Sequence, residues 1–140
     1  MVTKPVRVVV KEEALGFLFG YARGAFPKEA IVVLRGSSRS DGLVRVEESV
    51  LPLKRIEGHS FSTLDFMGVV DTRTVGLGHS HPSGIIRPSE QDLRGFLGKV
   101  MLIVGPPFAS EHDASFFDRD GKIVPFLVEW SSMDHRFRLE

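Results

Sequence analysis

The run Gly78-His79-Ser80-His81-Pro82-Ser83-Gly84-Ile85-Ile86-Arg87-Pro88-Ser89-Glu90-Gln91-Asp92 holds two of the chain's five histidines. Residues 74–81 have the make-up of a strand, 82–88 of a loop, and 89–98 of a helix with Leu93, Phe96 and Leu97 inward. Side chains on a strand alternate between faces, so His79 and His81 share one face and Ser80 points away. Two imidazoles on one face make half of a tetrahedral site. Asp92, at the start of the next helix, can fold back as a third ligand. Neutral histidine with one carboxylate suits Zn²⁺, and three protein ligands leave a position for water. Each piece also has a plainer account. His-X-His alone is weak evidence of a metal, Pro82-Ser83-Gly84 is ordinary turn chemistry, and Ser89-X-X-Asp92 is the pattern of a helix capping box.

Outward from this run the chain is punctuated by Gly and Pro, with no internal repeat. Residues 6–10 form a β-branched run and are expected as a strand. Residues 11–24 show Ala14, Phe17, Leu18, Tyr21 and Ala25 at helical spacing, closed by Pro27. Residues 30–34 read as a buried strand, 36–42 as a polar turn, and 43–51 as the returning strand. A strand at 59–62 and a short helix at 64–71, capped by Ser62 or Thr63, follow. Val100-Met-Leu-Ile-Val104 is a continuous apolar run of central-strand type. Residues 114–117 and 122–130 are expected as strands joined by the turn at 118–121. The pattern is α/β: one domain over residues 1–140, with a mixed central sheet flanked by helices.

Composition narrows the chemistry. There is no cysteine, which removes disulfides, thiol nucleophiles, iron–sulfur ligation and thiolate zinc sites. A transition metal must then sit on His, Asp or Glu. Lys plus Arg equals Asp plus Glu at 18 each, so nucleic-acid binding lacks its electrostatic footprint. No apolar run approaches a membrane span or a signal peptide, so a cytoplasmic location is expected.

His79-Ser80-His81-Pro82 followed by Ser89-X-X-Asp92 resembles the signature of the JAMM (MPN+) metalloproteases. In that family a distant upstream Glu precedes His-X-His-Pro and Ser-X-X-Asp at this loop spacing. Pro27-Lys28-Glu29 leading into Ala30-Ile-Val-Val-Leu34 looks like the segment that carries the Glu, with Glu29 standing 50 residues before His79. Glu12, Glu13, Glu47 and Glu48 lack that context. The resemblance runs from about residue 6 to 128 and implies a single MPN domain of cytidine-deaminase-like fold. It also implies that His79, His81 and Asp92 hold Zn²⁺, that Glu29 is the general base, and that Ser89 offers its hydroxyl to the developing oxyanion. This last role competes with a cap role for Ser89, a point the sequence leaves open.

The best-known relatives cleave after the C-terminal Gly-Gly tail of ubiquitin-like proteins. The implied partner is therefore a ubiquitin-like or sulfur-carrier-type protein, as in compact prokaryotic and archaeal members. Residues 59–63 or the loop 105–110 are candidate tail-binding edges, and Phe61 a candidate channel wall. Two other readings are a non-catalytic MPN scaffold on the same fold, whose members typically lack this ligand set, and a RadC-like DNA-repair-associated protein, whose branch the motif also resembles. The zinc deaminases are excluded, because they need Pro-Cys-X-X-Cys. His59, His112 and His135 have no motif partners. Arg87 is either solvated or in touch with an acidic partner. Trp130 and the tail 133–139 pack on the core or on a second subunit, which leaves a homodimer open.

Overall fold

The structure, a computed structural model, describes residues 5–52 and 71–130. The strand expected at 59–62, the helix expected from 64, Phe61, His59, His135 and the tail 133–139 lie outside the described residues. The elements run β1 (Arg7–Lys11), α1 (Glu12–Ala25), β2 (Ile31–Ser38), β3 (Leu43–Val50), β4 (Thr74–Ser80), α2 (Glu90–Arg94) and β5 (Val100–Val104). A 3₁₀ turn at Glu111–Asp113 leads into β6 (Ala114–Phe117), β7 (Ile123–Val124) and β8 (Phe126–Glu129). Together the strands build the expected mixed sheet, in the order β7-β6-β5-β4-β2-β3-β1-β8.

The strand period of two sorts the side chains of this sheet between two faces. On β5, Val100, Leu102 and Val104 enter the main core under α1, while Met101 and Ile103 join a smaller cluster with Phe96 and Phe117. The same parity runs across β2 and β4. Val32 and Leu34 lie in the α1-side core. Ile31 pairs with His79 in the antiparallel register, so Glu29, Ile31, Leu77 and His79 belong to the other face.

Helix α1 buries Ala14, Leu15, Leu18, Phe19 and Ala22. Full burial of one such leucine contributes roughly 1.5–3 kcal/mol. The expected stripe was offset from this one: Phe17 is exposed, and Tyr21 and Ala25 are only half-buried. Two stripes fit the periodicity, and the sheet selects the one that brings Leu15 and Phe19 inward. The outer face carries Gly16, Gly20 and Gly24, all exposed. No side chain caps the first turn, but Glu12 and Glu13 lie where the helix dipole favours negative charge.

Three boundaries depart from expectation. Strand β2 continues through Gly36 to Ser38, with a bulge between Arg35 and Gly36, so the turn into β3 is shorter than 36–42. The helix expected over 89–98 is the five-residue α2. It ends at Arg94 with Gly95 as its C-cap, and at Gly98 the chain takes φ +77° so close to the Val75 carbonyl that a side chain would not fit. The strand expected over 122–130 is cut by Pro125. Residues before it pair with β6, and residues after it pair in parallel with β1 at the opposite end of the sheet. One residue thus joins the two ends of the strand order, so the sheet curls round until its edges meet. The Val8 amide donates to the Pro125 carbonyl (3.0 Å), and Phe116 packs on Phe126 at that seam. Among the described residues no helix is long and apolar enough to cross a membrane.

Candidate metal centre

On the face away from α1, an open cavity of about 850 Å³ is lined by Glu29, His79, His81, Ser89 and Asp92 among others. All five site residues expected from sequence therefore meet in one place. Ile31, Leu77, Leu97 and Met101 give it an apolar floor. The sequence reading placed Leu97 inward but assigned none of the four to the site, although parity with His79 marks Ile31 and Leu77.

His79 is buried at the end of β4, with 4% of its surface exposed. His81 lies just past the strand, where its amide donates to Val104. The two rings are 4.9 Å apart between centroids. Glu29 Oε1 stands 3.5 Å from His79 Nδ1, and Asp92 Oδ1 stands 3.7 Å from His79 Nε2. Asp92 Oδ2 is 3.2 Å from His81 Nε2. Glu29, His79 and His81 each place a donor atom within 4.8 Å of the other two.

A turn aims His81. Its Nδ1 bonds the Ile85 carbonyl at 2.8 Å, which leaves Nε2 for the cavity. The Ile85 amide donates to Ser83 Oγ, and Gly84 takes φ +85°, so Ser83 and Gly84 shape the turn. A carbonyl carries no sequence signal, so only the turn residues could have hinted at this support.

Asp92 is anchored by the start of α2. Its Oδ2 accepts from the Ser89 amide at 2.8 Å, while Ser89 Oγ accepts from the Asp92 amide at 3.0 Å. This is a full capping box. The capping box thus does not keep Asp92 from facing both histidines. The expected competition for Ser89 also falls away. A hydroxyl has one donor and two acceptor positions, and the cap uses it only as an acceptor. Its proton remains free for another partner.

Electrostatics follow from these contacts. The hydrogen bond with Asp92 raises the His81 pKa, against desolvation that would lower it. Burial alone would raise Asp92. The bonds from His81 and the Ser89 amide, with His79 nearby, outweigh burial and hold its carboxyl well below the usual carboxylate range.

The donors fit a metal by two observations. The buried His79 ring turns Nε2 toward Asp92 and Nδ1 toward Glu29, and Nδ1 makes no hydrogen bond among the described residues, so the ring lies between the two carboxylates with an unsatisfied buried nitrogen. Ligands about 2.1 Å from one tetrahedral Zn²⁺ lie about 3.4 Å from each other. Asp92 offers one oxygen to each imidazole near that spacing, Oδ2 at 3.2 Å from His81 Nε2 and Oδ1 at 3.7 Å from His79 Nε2.

Other residues lie elsewhere. Glu47 pairs with Arg73 and Glu48 with Arg35 on the sheet surface. The loop 105–110 contributes nothing to the cavity lining, because Phe108 anchors it in the core beneath α1. Arg87 is exposed and lines the cavity.

Comparison with known proteins agrees with this geometry. Residues 11–132 match the family of prokaryotic homologues of the JAB domain. A probable metalloprotease of Haloferax volcanii is 30% identical over 123 residues, covering 83% of this chain and 76% of its own. A JAB1/MPN domain protein from Archaeoglobus fulgidus superposes with TM-score 0.62 at 30% identity, over 85% of this chain and 96% of its own. A second structure, described as a JAMM metalloprotease-like zinc site in the proteasome and signalosome, gives TM-score 0.62 at 28% identity, over 89% and 99%. This chain belongs to the JAMM/MPN+ zinc metalloprotease family.

Proposed function

We propose that this protein is a zinc peptidase that cleaves after the C-terminal Gly-Gly tail of a ubiquitin-like or sulfur-carrier-type protein. The observation that carries the reading is the convergence of Glu29, His79, His81, Ser89 and Asp92 on one cavity. His79, His81 and Asp92 hold the metal. When bound there, Zn²⁺ would supply Lewis acidity to the scissile carbonyl and to the attacking water. Glu29, half-exposed beside His79, accepts a proton from that water and delivers it to the leaving amine. The Ser89 hydroxyl, with its proton unused by the cap, donates to the carbonyl oxygen as charge develops there. The Ile85 carbonyl fixes the His81 ring, and the apolar floor offers a surface for the substrate chain to lie on.

A side-chain-free tail is the substrate class best matched to a site set among strand ends. Extended chains dock against sheets through their backbone, and glycine lets that backbone approach closely. The test is incubation of the zinc-loaded protein with Gly-Gly-tailed conjugates, with and without chelator, read by mass spectrometry. Chelator-sensitive release of the intact modifier is expected. Absence of any cleavage across the panel would count against the reading, and in favour of a scaffold role if zinc is also absent. Glu29→Gln should keep zinc and lose turnover.

A further inference from the structure

Ser80 stands between the two metal-site histidines and faces the opposite side of the sheet, fully buried. In the β2–β4 register Ile31 pairs with His79, so the next rung joins Ala30 to Ser80. A hydrogen-bonded antiparallel rung exchanges two backbone bonds. Here only one is of that kind: the Ser80 amide donates to the Ala30 carbonyl at 3.0 Å. The reciprocal bond, from the Ala30 amide, goes to Ser80 Oγ at 2.8 Å. The reason lies one residue on. Strand β4 ends at Ser80, and the His81 carbonyl already accepts from the Gly84 amide in the turn that follows. The backbone therefore turns away just where Ala30 needs an acceptor. Ala30 is itself fully buried, so its amide has no recourse to water.

We infer that Ser80 is a positioning residue for Glu29. Its hydroxyl completes the last rung of the ladder and so fixes the backbone from which Glu29 reaches His79. This rests on the reading of Glu29 as general base. The side-chain acceptor resolves a geometric conflict. His81 must diverge from β2 to enter the metal site, while Glu29 must stay beside β4. A backbone carbonyl at position 80 cannot serve both, and a short hydroxyl can.

The test uses the full ¹⁵N-labelled chain as wild type, Ser80→Ala, Ser80→Cys and Ser80→Thr. Cysteine keeps the size of serine but is a weak acceptor; threonine keeps the hydroxyl. In chelator-treated protein, amide exchange at Ala30 should rise about tenfold in the Ala and Cys variants. The backbone order parameter at Glu29 should fall from about 0.85 toward 0.6. The Thr variant should restore both. With zinc and a Gly-Gly-tailed conjugate, kcat should fall about 10²-fold with KM and zinc content unchanged. In a Glu29→Gln background, Ser80→Ala should add little further loss. Unchanged Ala30 exchange, or raised exchange with unchanged kcat, would overturn the inference, and so would a full additive loss in the Glu29→Gln background. Normal turnover by Glu29→Gln alone would instead overturn the base assignment, and with it the role given to Ser80, while the exchange result still reports on the rung itself.

Discussion

The pattern Ser-Glu-X-Asp occurs twice in this chain, at 89–92 and at 110–113, and both copies fold alike. Ser89 and Asp92 close a capping box at the start of α2, and Ser110 and Asp113 close one at the 3₁₀ turn before β6. In each, the serine hydroxyl accepts from an amide inside the turn, and the aspartate accepts from the serine amide. Their surroundings differ. Asp92 faces His79 and His81 across the cavity. Asp113 spends its second bond on the Ala109 amide, and His112 is exposed. The box is thus a structural unit that holds a carboxylate at a fixed angle. What that carboxylate does is set by the strand end opposite. Only the copy that follows a His-X-His strand meets imidazoles.

The largest difference between the copies should appear on removing charge without removing the cap. Asn keeps an oxygen for the serine amide but is a poor ligand for Zn²⁺. Asp92→Asn should lose bound zinc, and peptidase activity should fall by more than the roughly 10²–10³-fold that one lost oxyanion donor costs. Asp113→Asn should keep both. Zinc content by mass spectrometry and initial rates on one conjugate check the pair. Equal losses in the two variants would mean that Asp92 acts only through the local fold.

The serines form the next contrast. Ser89→Ala removes a cap and the donor proposed for the oxyanion. It should reduce kcat by about 10²–10³-fold with zinc retained. Ser110→Ala removes the same kind of cap and should leave kcat within about twofold, because nothing at 110 lines the cavity. A Ser89→Ala variant with near-normal kcat would reduce Ser89 to a cap alone.

These two copies also show what one sequence can disclose. The capping-box pattern was legible at 89–92, and strand parity placed His79 and His81 on one face, because both depend on spacing over a few residues. Glu29 was not reachable that way. It meets His79 through a β2–β4 pairing that spans 50 positions, and the family resemblance, not local periodicity, selected it over Glu47 and Glu48. The pairing of β8 with β1 was likewise invisible. A parallel pairing between the two ends of the chain leaves no local mark, and Pro125 reads as a simple interruption. The α1 stripe was offset for a related reason: helical periodicity allowed two inward faces, and only the sheet beneath chooses.

A third contrast concerns pH in the metal-free protein. Asp92 is held below its ordinary value near 3.8, so its stabilising contribution is complete above that pH and is lost as pH falls. His81 is held above its ordinary value near 6.5, so its contribution is complete below that pH and is lost as pH rises through the raised value. The pair therefore stabilises most between about pH 4 and 6.5, by roughly 1–3 kcal/mol. In urea unfolding, chelator-treated wild type should exceed Asp92→Asn in that window and lose the margin on both sides. Zinc changes the alkaline limb, since it takes the place of the shared proton, and makes the acidic loss steeper as ligands protonate. A margin that stayed flat with pH would show that the Asp92–His81 contact contributes nothing in solution.

The smallest effect belongs to the second box. Ser110→Ala leaves the His112 amide without its acceptor in an exposed turn. The usual cost of losing such a cap is about 1 kcal/mol, a few degrees of Tm in a chain of this size. The turn precedes β6, which pairs with β5, and β5 in turn lies beside the histidine strand. If the box only caps, the loss stays local: Tm falls slightly while zinc affinity is unchanged. If the box also sets where β6 docks, the disturbance has a direct route through β5 to His79, and zinc affinity should fall with Tm. Calorimetry and zinc titration of this one variant separate the two. The first outcome is expected, because neither the backbone bond that ties this turn to its surroundings, from the Gly105 amide to the Asp113 carbonyl, nor the one inside it, from the Asp113 amide to the Ser110 carbonyl, involves the hydroxyl.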